Sequence, residues 1–252
     1  MRFIGHAGLA SDRRGGTPTR QTLAGAERVG IDCIEVDVCR SSDGTLLLRH
    51  DLSLPSGRPV SGTAFAEVRR EDPDVLTLDE GAEVLSAGTI PVLVDLKDAA
   101  DAEAVAQWLA ARRDPRRWLV CSDDREALLT LRDRAPRVER WRGVPRVAPG
   151  RGEPVRRITA MALRSLLPAR LARLAREVTA AGFTVDRWAV TPALCAAARG
   201  LDLPVAAWTV NHPAVARRMW ACGVDYLTTD RVVEMRAALA AQDGAVTGRC
   251  DG

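Results

Sequence analysis

His6, Glu35, Asp37 and His50 fall within the first fifty-one residues of the chain, in the segments GHAG, CIEVDV and LLLRHD. The only lysine of the chain, Lys97, ends a further short apolar segment, PVLVDLK, two residues after Asp95. Residues two apart on a strand point to one face, so Glu35 projects with Asp37, and Asp95 with Lys97. Three carboxylates gathered in a buried place repel one another unless a cation compensates them. An all-oxygen set suits a hard divalent ion, Mg²⁺ or Ca²⁺, better than zinc, which favours histidine and cysteine. Two histidines outside the metal's ligand set are then available for proton transfer. Taken singly, each motif has a plainer reading: E-x-D as a surface pair, D-x-K as a salt bridge, His6 as a core histidine, Trp208 as core packing, Ser122 and Asp230 as helix caps, and His212, beside Pro213 at a helix start, as structural. Their joint placement favours chemistry.

The elements that must position these residues alternate along the chain. Eight strand candidates are RFIGH (2–6), CIEVDV (33–38), PVLVDLK (91–97), WLVCS (118–122), VERWRGV (138–144), TVDRWAV (184–190), PVAAWTVN (204–211) and DYLTTD (225–230). Helical patterns are expected at 19–29, 78–87, 99–112, 124–134, 159–181, 191–199, 212–222 and 231–241, which makes eight βα units and predicts a single-domain α/β fold, the TIM (β/α)8 barrel. Pro192 and Pro213 suit first helical turns, and Gly182 and Gly223 suit positions just past helix ends. The run TLLLRH (45–50) reads as an extra strand after the Asp43-Gly44 turn. Residues 51–75 form a polar excursion, 145–157 a basic loop rich in proline and glycine, and 242–252 a frayed tail after a barrel spanning 1–241. The chemical residues then sit at or just past the C-terminal ends of the strands, where barrel enzymes build their sites.

Composition narrows the partners. Thirty-six basic and thirty-three acidic residues give a formal charge of +3, too balanced for a nucleic-acid-binding chain, which shows a basic patch or stripe. Six cysteines without C-x-x-C spacing read as buried thiols in a reducing cytoplasm. No apolar run approaches the roughly 18 residues of a membrane span. The N-terminal apolar stretch is short and interrupted by His6, unlike a signal peptide.

The order H-x-G, E-x-D-V, S-x-D-G, H-D, P-x-L-x-D-x-K, W-T-V-N and G-V-D-x-x-x-T-D, from residue 5 to about 231, resembles the glycerophosphodiester phosphodiesterase family of TIM barrels. The resemblance implies that His6 and His50 are the general acid and base, that Glu35, Asp37 and Asp95 hold the divalent cation, that Lys97 meets the phosphate, and that Trp208 lines the substrate pocket. It also implies hydrolysis of a small or lipid-derived phosphodiester to an alcohol and glycerol 3-phosphate, through attack of a neighbouring glycerol hydroxyl and a cyclic phosphate that water opens.

Three positions depart from the family pattern. His6-Ala7-Gly8 stands where the family has His-Arg-Gly, Gly16-Thr17-Pro18-Thr19 replaces a Pro-Glu-Asn-Thr segment, and Asp95 is one methylene shorter than the commoner glutamate. An arginine from another segment (Arg13, Arg14, Arg146 or Arg151) is a candidate substitute for the one missing at Ala7. Two other readings fit the same residues: head-group cleavage of a phospholipid that stops at a cyclic phosphate, and a catalytically silent barrel that binds a phosphorylated ligand or a protein.

Overall fold

The computed structural model describes residues 1–9, 17–144 and 153–247. Among them, eight parallel strands close into a barrel: β1 (Arg2–Gly5), β2 (Cys33–Arg40), β5 (Val92–Leu96), β6 (Trp118–Ser122), β7 (Glu139–Gly143), β8 (Gly182–Asp186), β9 (Val205–Trp208) and β10 (Tyr226–Thr229). Pairing runs in that order and closes through β10 back to β1, which also pairs with β2. The expected TIM barrel is therefore the fold. Buried on both faces, the strands read as apolar runs. Their outward side chains, such as Ile34, Val36, Val94 and Val120, pack under the surrounding helices, while Ile4, Cys33, Leu93, Cys121, Trp141 and Ala206 form a separate inner cluster.

The helices are α1 (Arg20–Val29), α2 (Phe65–Glu71), α3 (Leu78–Leu85), α4 (Ala102–Ala110), α5 (Arg125–Arg134), α6 (Glu153–Val178), α7 (Pro192–Arg199), α8 (Pro213–Cys222) and α9 (Val232–Thr247). Several start on side-chain caps. Thr77 and Glu80 form a reciprocal capping box at α3, Asp124 accepts from Ala127 N at α5, and Thr191 accepts from Leu194 N before Pro192 at α7. His212 also acts as a cap, its Nδ1 accepting from Ala214 N at 3.3 Å, which accounts for it structurally. Each cap satisfies an amide that the helix leaves open, a contribution of about 1 kcal/mol.

Four expectations need correcting. The excursion after residue 50 contains helix α2, and its end forms β4 (Leu76–Thr77), which pairs antiparallel with β3 (Leu46–Leu48), itself antiparallel to β2. Helix α6 begins at Glu153, six residues before the expected start and inside the segment read as a basic loop; residues 145–152 lie outside those described, as do Arg13, Arg14, Arg146 and Arg151. Helix α9 continues to Thr247, past the expected end at 241, and residues 248–252 lie outside those described. Gly182 is a strand residue, not a helix end: the left-handed residue after α6 is Thr179 (φ 53). Gly182 pairs with Trp141, and a Cβ there would lie 2.7 Å from the indole, so glycine is required by close approach. Gly223 does take the left-handed cap conformation (φ 84) expected of it.

Candidate active site at the barrel mouth

Strand register brings the acidic residues together. Asp37 on β2 lies directly opposite Asp95 on β5, and Glu35 sits two residues earlier on the same strand. One carboxylate oxygen from each of Glu35, Asp37 and Asp95 lies within 4.8 Å of the others. Two oxygens bound to one hard ion at about 2.4 Å can be no farther apart than this. Glu35 and Asp37 are buried, at 5% and 2% exposure.

The hydrogen-bonding pattern tests whether a cation fits. Lys97 Nζ stands 2.5 Å from Asp37 Oδ1 and 2.6 Å from Asp95 Oδ2. The contact to Asp37 has the distance of an ion pair but not hydrogen-bond geometry, and both buried oxygens of Asp37 lack a hydrogen-bond partner among the described residues. Oδ1 faces the Lys97 ammonium, and a divalent cation would satisfy the acceptor capacity that this buried carboxylate has left. Glu35 Oε2 accepts from Ala7 N at 2.7 Å, and Asp95 Oδ1 accepts from Cys121 Sγ at 3.3 Å. Burial, followed by the charge of Asp37, pushes Glu35 up to about 8. Burial opposes the charge on Lys97, but Asp95, Asp37 and Glu35 overcome it and hold the ammonium well above its usual range. Even with Glu35 protonated, Asp37 and Asp95 face the single Lys97 ammonium, and the donor set of oxygens suits Mg²⁺ or Ca²⁺.

The turn after β1 carries His6. Ala7 (φ 47, ψ 42) and Gly8 (φ 60, ψ 26) are both left-handed, which costs on the order of 1 kcal/mol at the alanine. The turn directs the Ala7 amide to Glu35. His6 Nδ1 bonds Asp230 Oδ1 at 2.7 Å, so its other nitrogen, Nε2, is free of this bond. Asp230 is fixed in turn by Asn211: its Oδ2 accepts from Asn211 Nδ2, while Asn211 Oδ1 accepts from Asp230 N and from Thr229 Oγ1, both at 3.0 Å. Burial lowers the proton affinity of His6, but the Asp230 hydrogen bond and the charges of Glu35, Asp230 and Asp37 outweigh it, so His6 is raised to about 9. Asp230 is shifted in the matching direction: burial raises it, yet bonding to His6 brings it below its ordinary value.

His50 follows β3, with its ring 6.5 Å from that of His6 and its Nδ1 2.8 Å from Asp51 Oδ1. The preceding Arg49 holds this segment. Its backbone N–H donates to Asp37 O at 2.9 Å. Its buried guanidinium donates to Asp51 O (2.9 Å), Thr17 Oγ1 (3.1 Å) and Ser53 O (3.0 Å), and pairs with Asp72.

A cavity of about 290 Å³ opens between the histidines, lined by His6, Glu35, His50, Asp95, Lys97 and Trp208 among others. Asp37, ion-paired with Lys97, is not among the cavity's described lining residues. Thr184, Ser122, Gly143 and Val144 form the opposite wall. Lys97 is the only lysine or arginine among the described lining residues. Sequence reasoning brought seven residues to this mouth: His6, Glu35, Asp37, His50, Asp95, Lys97 and Trp208. It missed the pairing of Asp230 with His6 and the clamp of Arg49. A signal for the first was present, since Asn211 is the only asparagine in the chain; for Arg49 there was none, because its partners Thr17 and Asp72 are remote in sequence.

A closed parallel barrel with such a mouth defines a TIM-barrel enzyme. Residues 6–234 match the model of the glycerophosphoryl diester phosphodiesterase family, and the chain belongs to that family of phosphoric diester hydrolases. No curated protein matches it. Among solved structures, an Oleispira antarctica phosphodiesterase in complex with the product sn-glycerol-3-phosphate is 21% identical with a TM-score of 0.74, the match covering 95% of this chain and 97% of that one. A glycerophosphodiester phosphodiesterase from Parabacteroides distasonis is 18% identical with a TM-score of 0.75, over 96% of this chain and 98% of that one. One from Thermotoga maritima is 18% identical with a TM-score of 0.68, over 91% and 94%. At these identities the likeness is one of fold.

Proposed function

We propose that the protein hydrolyses a glycerophosphodiester to an alcohol and glycerol 3-phosphate, using a divalent cation held by Glu35, Asp37 and Asp95 and proton transfer by His6 and His50. The observation that carries this reading is the convergence of three carboxylates within 4.8 Å of one another below a cavity flanked by two histidine rings. Family membership supports it, as does the product sn-glycerol-3-phosphate in the Oleispira antarctica structure. A divalent cation held by these three carboxylates, Mg²⁺ or Ca²⁺, would supply Lewis acidity to a phosphoryl oxygen and would offset the repulsion among the carboxylates.

The chain's own residues divide the remaining work. Lys97, at the cavity wall, meets the charge that develops on the phosphoryl oxygens. His6, kept protonated by Asp230, donates its proton to the departing alkoxide. His50 accepts the proton of the neighbouring glycerol hydroxyl as that oxygen attacks phosphorus. With the roles exchanged, the same pair opens the resulting cyclic phosphate with water. Trp208 lines the wall available to the alcohol. The five described cysteines are all free thiols, in keeping with a reducing cytoplasm, and no helix among the described residues is long and apolar enough to cross a membrane.

Assay of glycerophosphodiesters with Mg²⁺, with Ca²⁺ and with chelator, beside His6→Ala and Glu35→Ala, tests the reading. Metal-stimulated turnover that both changes abolish supports it. Turnover that survives both changes places the activity elsewhere.

A further inference from the structure

Six of the nine large apolar side chains that are exposed among the described residues, Leu52, Val155, Ile158, Met161, Trp188 and Val233, lie on segments that follow strand ends at the cavity mouth; Leu166, Leu201 and Trp220 lie farther along α6, after α7 and near the end of α8. Ile158 and Met161, on the two turns of α6 before Arg164, are 68% and 67% exposed. Exposed apolar side chains that are grouped commonly mark a docking surface, and Arg164, three residues past Met161, ties this part of α6 to the Trp188 loop.

Three arginines lie beside Trp188. Arg164 donates from Nε to Trp188 O at 2.8 Å, Arg218 from an Nη to Arg187 O at 3.0 Å, and Arg187 from an Nη to Thr209 O at 2.5 Å. The guanidinium carbons of Arg187 and Arg218 lie 5.8 and 6.0 Å from the centre of the Trp188 ring. None of the three pairs with a carboxylate among the described residues. Backbone carbonyls hold each in place and leave further N–H donors unused. Burial, and then repulsion from Arg164, lowers Arg218 below the usual arginine range, with Cys222 opposing the shift and Arg187 adding to it. The patch adjoins the cavity, because Arg187 N donates to the carbonyl of the lining residue Trp208 at 3.0 Å.

We propose that Ile158, Met161 and Trp188, ringed by Arg164, Arg187 and Arg218, dock the protein on an anionic phospholipid surface with the cavity mouth facing the lipid. Charge complementarity selects this occupant. Guanidinium groups with no carboxylate partner among the described residues match the phosphates of an anionic leaflet, and apolar side chains among them enter the region between head group and acyl chain. Docking of this kind is reversible and weakens with salt, since screening acts on the arginines and not on the apolar contacts. It concerns where the enzyme works and does not depend on which diester it cleaves.

The test is flotation of the full chain with vesicles of phosphatidylcholine alone or mixed with phosphatidylglycerol. The wild type floats with the mixed vesicles only, and less at high salt. Arg164→Glu with Arg218→Glu lowers partitioning at least about tenfold, since each cation near an anionic surface contributes about fivefold. Ile158→Ser with Met161→Ser lowers it by a similar factor, and unchanged thermal unfolding shows that both double variants fold. A wild type that does not float with anionic vesicles, or variants that float as it does, overturns the proposal. Absence of vesicle binding together with a dimer that Ile158→Ser and Met161→Ser dissociate would assign the face to a second copy of the chain instead.

Discussion

Replacing Asp230 by Asn leaves the shape of the His6 partner nearly intact and removes its charge. In the native protein two effects compete at His6: burial disfavours the imidazolium, and Asp230, with Glu35 and Asp37, favours it enough to raise the pKa from 6.5 to about 9. A hydrogen bond to a charged partner is worth about 1.5–3 kcal/mol, so its loss lowers the pKa by about 1–2 units. If His6 donates the proton to the leaving group, the fall in kcat/KM on the alkaline side moves to lower pH by that amount. The rate on the plateau also drops, by about 10²-fold or more, because an oriented acid contributes about that much. Stability follows with a definite sign. A histidine raised on folding contributes stability that is complete below pH 6.5 and is lost as pH rises through about 9. Asp230, lowered on folding, contributes above 3.8 and loses its contribution as pH falls through its folded value. The variant is therefore most destabilised relative to wild type between about pH 4 and 6.5, by on the order of 2 kcal/mol, and the gap closes above about pH 9. Denaturant unfolding across this range and pH–rate profiles of both proteins provide the readouts. An unmoved alkaline limb, or a stability gap that widens with pH, would refute the reasoning.

Three further perturbations have defined outcomes. Glu35 is raised from 4.5 to about 8 without metal, so folding favours its protonated form and the metal-free protein loses stability as pH rises through that window; metal must displace the proton, and calorimetry should show affinity rising about tenfold per pH unit up to about pH 8. Affinity independent of pH would show that Glu35 is not a ligand. Lys97→Met removes the ammonium that pairs with Asp37 and Asp95, which should cost about 3–5 kcal/mol in chelator and enlarge the rise in Tm on adding Mg²⁺ or Ca²⁺; an equal rise in both proteins argues against a shared cation site. Arg49→Lys keeps a charge but cannot reach Asp51, Thr17, Ser53 and Asp72 together, so kcat should fall about tenfold through misplacement of His50 while the metal-induced rise in Tm is retained; loss of both would give Arg49 a general structural role.

The barrel was legible because each strand is buried on both faces and bounded by turn chemistry, as at Trp118–Ser122, where expected and observed ends coincide. The expected strand TVDRWAV was displaced toward the C terminus because Gly182 reads as a helix terminator, whereas it fits a place beside Trp141 where no Cβ can stand. Helix α2 was hidden by its charge: FAEVRRE buries only Val68 against the body of the protein. The carboxylate cluster was visible through the two-residue alternation on β2 and β5, which needs no tertiary information. The bond between His6 and Asp230 spans 224 residues and exists only because the barrel closes, so a local pattern marked both residues without joining them.

The most direct test follows the phosphorus itself. In a ³¹P NMR time course with purified protein, a glycerophosphodiester and Mg²⁺ or Ca²⁺, the diester signal should be replaced by that of glycerol 3-phosphate, and chelator or Glu35→Ala should stop the conversion. Conversion that continues in chelator, or a cyclic phosphate that accumulates with no monoester, would contradict the account.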